Sequence, residues 1–218
     1  MPEKKTAVFV VDDHPLVRDS LAMLINQQQD MEVCGEAEDV ASALRFFAKG
    51  EPDIAIVDIS LKEGSGLELI KQLKAKASSV PVVVLSMHDE KLYAERCIRA
   101  GARGYVMKRE SSKRIIAAIR EVRAGKLFLS EETAANFAEK FAVGGRSETP
   151  MEDLSDRELQ VFGLIGRGLP TREIAGALNV SVKTVQAYCA RIKQKLGITT
   201  ATELLREAVR WHDQHTAG

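Results

Sequence analysis

The sequence predicts a doubly wound α/β domain built on a five-stranded parallel sheet, followed by a small all-α domain of four helices. Three observations predict it. Short apolar runs alternate with segments of helical periodicity up to about residue 124. A stretch rich in Gly, Ser, Thr and Pro then interrupts the pattern, and beyond it every apolar repeat has helical spacing. At 218 residues with an ordinary apolar content, the chain is long enough to form two compact domains.

The expected strands are Ala7–Val11, Glu32–Ala37, Ile54–Asp58, Val80–Ser86 and Gly104–Met107. Between them lie helical patterns. In the first, Leu16, Val17, Leu21, Leu24 and Ile25 line one face, and Pro15 suits a first helical turn. Another, after the fifth strand, places Ile115, Ile116, Ile119 and Val122 on one side. Residues 1–124 form this first domain, and 125–150 are expected to be a linker carrying one helix, Glu131 to Ala142. The linker closes with Val143-Gly144-Gly145-Arg146-Ser147-Glu148-Thr149-Pro150, where the hinge is placed. Residues 151–218 form the second domain, opening with Ser155 before Asp156-Arg157-Glu158 as a capped helix start. Its helices are expected at about 156–166, 171–178, 182–196 and 201–212.

Composition narrows the function. The formal net charge is zero, so the molecule as a whole has no basic signature, and any contact with nucleic acid must come from a local patch. No apolar run is long enough to cross a bilayer and the N-terminus has no signal core, so a soluble cytoplasmic protein is expected. Cys34, Cys97 and Cys189 have no metal-ligand spacing and read as buried reduced thiols.

Chemistry is expected at the carboxyl ends of the strands, where doubly wound sheets bind ligands. Asp12 and Asp13 end the first strand, Asp58 the third and Ser86 the fourth, while Lys108 follows the fifth. Solvated strand-end acids are common, but five such groups at corresponding ends are not. Three carboxylates together repel one another and need a cation to stay ionised; an all-oxygen cluster with room for water suits Mg2+. Asp58 is then placed to attack phosphorus and form an acyl phosphate, with Lys108 pairing to phosphoryl oxygens and Ser86 offering a hydroxyl donor.

In the second domain Thr171-Arg172-Glu173-Ile174-Ala175 opens a short helix, Leu178-Asn179-Val180-Ser181 turns the chain, and a longer helix runs through Leu196. This helix-turn-helix motif covers about residues 171–190. Val185, Cys189, Ile192 and Leu196 recur at core spacing, which leaves Lys183, Thr184, Gln186, Ala187, Ala190, Arg191 and Lys195 largely elsewhere. Lys183, Arg191, Lys193 and Lys195 bring four positive charges with no acid between them. Cations for phosphates, with small or amide groups for base edges, are what a helix entering a major groove needs. An ordinary surface helix with solubilising lysines is the plain alternative. In the last helix Leu204, Leu205, Ala208 and Val209 form one stripe, which serves core packing, dimer contact or both, and Trp211 can anchor either.

Two resemblances sharpen these expectations. Val10-Val11-Asp12-Asp13-His14-Pro15-Leu16-Val17-Arg18 resembles the opening of receiver domains in the NarL/FixJ subfamily of response regulators. Asp58, Ser86, Tyr105 and Lys108 fall where that family keeps its phosphoacceptor, switch hydroxyl, switch aromatic and lysine. The resemblance implies a flavodoxin-like fold in which Asp13 and Asp58 ligate Mg2+ directly, Asp12 ligates it through water, and the Ser60 carbonyl adds another oxygen. It also implies that phosphorylation of Asp58 draws Ser86 inward and lets Tyr105 rotate. The chain departs from the family at Lys62, which stands where proline is common, while Gly66 keeps the family's glycine. Ser60 and His88 occupy places where the family tunes hydrolysis of the acyl phosphate, although His88 reads first as an ordinary exposed loop histidine.

Leu154-Ser155-Asp156-Arg157-Glu158, Ile174-Ala175, Lys183-Thr184-Val185 and Lys195-Leu196-Gly197 are similar to the LuxR-type output domain. That likeness implies Gln186, Ala187 and Ala190 as base readers and Lys183, Thr184, Arg191 and Lys195 as phosphate contacts. The expected function is therefore a DNA-binding regulator switched by a histidine kinase or a small phosphodonor. It would act as a homodimer on double-stranded DNA with repeated half-sites, catalysing only its own phosphorylation and dephosphorylation. The rival is a magnesium-dependent phosphatase or phosphotransferase with an aspartyl intermediate. Such enzymes with a related core usually carry Asp-x-Asp on the first strand, whereas this chain has Asp12-Asp13-His14. A receiver that works unphosphorylated as a protein-binding module is a third reading.

Overall fold

The computed structural model describes residues 4–61, 64–76, 78–142, 151 and 154–216. The chain divides into two compact units between Phe141 and Ala142. The expected hinge at 143–150 and the departure at Lys62 lie outside the described residues.

In the first unit the elements alternate as β1 (Thr6–Val11), α1 (Pro15–Asn26), β2 (Met31–Ala37), α2 (Val40–Phe47), β3 (Ile54–Val57), α3 (Gly66–Ala75), β4 (Val82–Ser86), α4 (Glu90–Ala100), β5 (Gly104–Met107) and α5 (Ser112–Arg123), and α6 (Glu131–Ala142) follows. All five strands are parallel, in the order β2-β1-β3-β4-β5. β3 and β4 are buried along their whole length and read as unbroken apolar runs, because helices cover both faces of a parallel sheet. On one face Val8, Val10, Ile54, Ile56, Val83 and Leu85 meet Leu21 and Ile25 of α1 and Ile115, Ile116 and Ile119 of α5. The strand order reverses between β1 and β3, so the crevice at their carboxyl ends is the place for a ligand.

Three features differ from expectation. β4 starts at Val82, not Val80, since Pro81 has no N–H to give to a ladder; its carbonyl still accepts from Ala55. Cys97 is buried and Cys189 partly so, but Cys34 is exposed. The register between β1 and β2 shifts from Val8↔Val33 to Phe9↔Gly35, leaving Cys34 as the extra residue of a bulge on a border strand. Finally, the segment from Lys126 to α6, read as the start of a linker, is fastened to the first unit. Phe128 N donates to Arg103 O at 3.0 Å, Tyr105 N donates to Phe128 O at 2.9 Å, and Gly104 and Phe128 form a parallel bridge. Glu90, buried at the start of α4, accepts from Ser130 N at 2.7 Å, and Lys91 pairs with Glu132 at 2.8 Å.

The second unit comprises α7 (Asp156–Gly166), α8 (Thr171–Ala177), α9 (Val182–Leu196) and α10 (Ala201–Thr216). A reciprocal capping box between Ser155 and Glu158 starts α7. Asn179 takes φ 51° in the turn between α8 and α9, a left-handed conformation that asparagine tolerates. α10 packs closely on α7: a Cβ at Gly166 would stand 2.4 Å from Ala208 O, and Trp211 meets Phe162 edge-on at 5.5 Å. Leu204 and Ala208 supply the buried part of α10, while Leu205 of the expected stripe is exposed. No helix among the described residues is long and apolar enough to cross a membrane.

Candidate functional site

Each acid of the first site sits where a buried strand stops. Asp12 and Asp58 follow directly on β1 and β3, and Asp58 N donates to Val11 O at 2.8 Å, which locks the two strand ends together. Both carboxylates are almost fully buried. Lys108 reaches in from just beyond β5, its Nζ 2.7 Å from Asp58 Oδ2 and 2.6 Å from Asp12 Oδ2. Its own position is fixed by Lys108 N donating to Ser86 O at 2.8 Å. Burial pushes the Asp58 carboxyl up to about 6, against the pull of the Lys108 ammonium. Burial also works against the charge on Lys108, yet the Asp58 and Asp12 carboxylates hold it above the usual lysine value.

Asp13 completes the cluster. His14 Nδ1 lies 2.7 Å from Asp13 Oδ1 and 3.3 Å from Asp12 Oδ1. The approach to Asp13 lacks hydrogen-bond geometry, and this buried oxygen has no hydrogen-bond donor among the described residues. One ligand atom from each of Asp12, Asp13, His14 and Asp58 can be chosen so that all lie within 4.8 Å of one another. Hard oxygen donors at that spacing, one of them unsatisfied, fit a small divalent cation.

The rim is built by the loops after β3 and β4. Ser60 N donates to Asp58 Oδ1 at 3.3 Å, and Ser60 Oγ lies 2.8 Å from His88 Nε2. His88 is therefore not the exposed loop histidine that its sequence surroundings indicate; it is half-buried, with its ring stacked on Tyr93 at 4.5 Å. Ser86 is buried, and its Oγ accepts from His88 N at 3.2 Å. Tyr105 is buried too, with its hydroxyl donating to His88 O at 2.8 Å. The structure thus brings Asp12, Asp13, Asp58, Ser60, Ser86 and Lys108 to one crevice and links Tyr105 to it through the backbone of His88. Sequence reading missed Glu90, and only its place beside the β4–α4 loop could have drawn attention to it.

The second site is the surface of α9. Val185 and Ile192 are fully buried, and Cys189 and Leu196 partly so, which turns the opposite face outward. Lys183, Gln186, Ala187, Ala190 and Arg191 are exposed along one stripe. Gln194 continues that stripe at helical spacing from Ala190 and Arg191; the periodicity could have found it, and sequence reading did not name it. Thr184 is half-buried, with its hydroxyl 2.8 Å from that of Ser181, which caps the helix by accepting from Thr184 N. Two of the four cations have an acid beside them after all. Glu158 of α7, 37 residues away from Lys195 in sequence, takes Lys195 Nζ at 2.6 Å and lies 3.3 Å from Arg191 Nε.

Comparison with known proteins gives two matches to family models. Residues 8–120 match the response regulator receiver domain, and residues 152–208 match the bacterial regulatory proteins of the luxR family. The chain is 32% identical over 209 residues to the oxygen regulatory protein NreC of Staphylococcus aureus, covering 93% of this chain and 96% of that one. Among solved structures it resembles RcsB of Salmonella enterica serovar Typhimurium bound to promoter P1flhDC in the presence of the phosphomimetic BeF3-. There the TM-score is 0.60 at 26% identity, over 94% of this chain and 98% of RcsB. A two-component response regulator of the LuxR family from Aurantimonas sp. SI85-9A1 matches with a TM-score of 0.58 at 29% identity, over 64% of this chain and 99% of that one.

Proposed function

The chain belongs to the response regulators that join a receiver domain to a LuxR-type DNA-binding domain, and from that premise we propose that phosphorylation of Asp58 controls its binding to DNA. It is a transcription regulator and not a classical enzyme. The observation that carries the proposal is the convergence of Asp58, Asp12 and Asp13 on one crevice, with Lys108 Nζ between the first two.

An Asp58 carboxylate oxygen attacks phosphorus of a phosphohistidine on the sensor kinase. The O–P bond forms, the P–N bond breaks, and the departing imidazole recovers its electron pair. Asp13, Asp58 and the Ser60 carbonyl, with Asp12 through water, would hold Mg2+, which would supply charge neutralisation for the incoming phosphoryl group. Lys108 exchanges its present pairing with Asp58 for phosphoryl oxygens, and Ser86 turns its hydroxyl to the same group. That movement alters the β4–α4 loop, on which the Tyr105 hydroxyl depends, and so biases the surface around α4 and β5.

In the second domain α9 enters the major groove. Gln186, Ala187 and Ala190 read base edges; Lys183, Thr184 and Arg191 meet the phosphates, where the sequence also placed Lys195. A homodimer on repeated half-sites gives the small module a sufficient footprint, in keeping with the RcsB dimers solved on DNA. The protein works in the cytoplasm, where its kinase partner presents the phosphodonor.

Wild type and Asp58→Asn are compared after incubation with acetyl phosphate and Mg2+, by intact mass and by DNA binding at controlled salt. The expected result is one phosphoryl increment that requires both Asp58 and Mg2+, with tighter DNA binding. An increment retained in Asp58→Asn, or DNA binding indifferent to phosphorylation, overturns the proposal.

A further inference from the structure

The cations of α9 are not equivalent, and the difference comes from α7. Glu158 is the third helical residue of the capping box, and its side chain is 3% exposed. One oxygen, Oε2, accepts both from Lys195 Nζ at 2.6 Å and from Ser155 N at 2.7 Å. The other, Oε1, lies 3.3 Å from Arg191 Nε. Burial opposes the charge on this carboxylate, but the hydrogen bonds from Lys195 and Ser155 hold the carboxyl below its ordinary value. A lysine that left such a group to reach a DNA phosphate would strand a buried anion, so its pairing competes directly with DNA contact.

Arg191 is held differently. Its Nε lies 3.3 Å from Glu158 Oε1, the guanidinium carbon stands 4.8 Å from the centre of the Tyr188 ring, and the side chain remains half exposed. A planar, half-exposed guanidinium backed by an aromatic face can present its fork of nitrogens to an external oxyanion, the geometry that suits phosphate.

We infer that Glu158 is a positioning residue for DNA recognition, holding Lys195 as a pillar between α9 and α7 and presenting Arg191 to the DNA backbone. The inference rests on α9 being the reading helix. It removes Lys195 from the phosphate contacts that the sequence indicates, and it gives an acid on a helix outside the motif a role in DNA binding. Lys195 and Glu158 fix the angle at which the Lys183–Gln194 stripe leaves the core; Arg191 counts phosphate.

The test uses the full chain, a short random-sequence duplex and fluorescence anisotropy across a salt series, well below the thermal midpoint. Arg191→Gln is expected to make the log–log salt dependence shallower by about one phosphate contact. Lys195→Gln is expected to weaken binding several-fold at every salt while keeping the wild-type slope, and Lys195→Arg to restore affinity. Glu158→Gln weakens binding as well, and the Glu158→Gln/Lys195→Gln double variant binds no worse than the weaker single one. A Lys195→Gln slope shallower by about one contact overturns the inference. So does additivity in the double variant, or an affinity unchanged while only the melting temperature falls. If Lys183→Gln and Arg191→Gln both leave the slope unaltered, the reading of α9 itself fails, which is a separate outcome.

Discussion

Gly66 approaches Asp58 so closely that a Cβ at position 66 would stand 1.8 Å from the Asp58 carbonyl oxygen. The obstacle is backbone, so a side chain there cannot be accommodated by a rotamer change. Gly66 N also donates to Ile59 O at 2.9 Å, which ties the start of α3 to the backbone just beyond Asp58. Gly66→Ala is therefore expected to displace Asp58 and to destabilise the receiver by roughly 1–3 kcal/mol. Phosphorylation by acetyl phosphate should slow by more than the stability loss explains; intact-mass time courses and chemical denaturation measure the two effects. An alanine variant that phosphorylates at the wild-type rate would show that the loop can move without cost to the site.

The Asp58 carboxyl gives a pH signature. Burial raises it from 3.8 to about 6, so the folded state binds this proton more tightly than the unfolded chain does. Its contribution to stability is thus fully present below about pH 4 and is lost as pH rises through about 6. Relative to Asp58→Asn, the wild type should lose on the order of 2–3 kcal/mol across that window without Mg2+, and run parallel above it. Urea denaturation of both proteins over the pH range checks this; a difference that stays flat contradicts the assignment.

The bond between Ser60 and His88 joins the loops after β3 and β4 across the mouth of the crevice. Removing either partner should open the acyl phosphate to water and shorten its lifetime several-fold. Because one bond is lost in both cases, Ser60→Ala and His88→Ala should not add in the double variant. Decay of the phosphorylated mass after removal of the phosphodonor is the measurement, and lifetimes at or above wild type would exclude a shielding role.

Glu90 ties the start of α4 to the start of α6. Glu90→Gln retains an acceptor for Ser130 N and should leave α6 in place. Glu90→Ala removes it, at a cost of about 1–3 kcal/mol for the stranded amide. Hydrogen exchange should then quicken over residues 130–136 while the sheet stays protected. Equal exchange in the two variants would mean that Phe128 and the Lys91–Glu132 pair secure the segment without Glu90.

Most of the fold was legible because apolar periodicity follows from the geometry of each element. β3 and β5 were readable to within a residue, and α6 to its ends. The acidic crevice was legible as well, since strand-end positions of a doubly wound sheet converge whatever else the chain does. What escaped depends on contacts between distant segments. Nothing near His88 in sequence announces Ser60 at 2.8 Å. Glu158 looked like a cap alone, yet a second demand on the same carboxylate comes from α9. The exposure of Cys34 follows from a one-residue register shift that alternation of residue types does not encode. Nothing near Glu90 in sequence announces Ser130, which comes beside it because the chain after α5 returns along β5.

That returning segment has a consequence for how the molecule behaves in company. A five-stranded open sheet has two borders, each a row of backbone groups able to recruit a strand from another chain. The β5 border is closed by the protein's own residues, with Tyr105 N and Phe128 N committed to the pairing. At the other border β2 carries the bulge at Cys34, flanked by the exposed acids Glu32 and Glu36. A kinked, negatively charged strand is a poor template for a newcomer. Both borders of the sheet therefore resist the irreversible, strand-to-strand association that leads to aggregates.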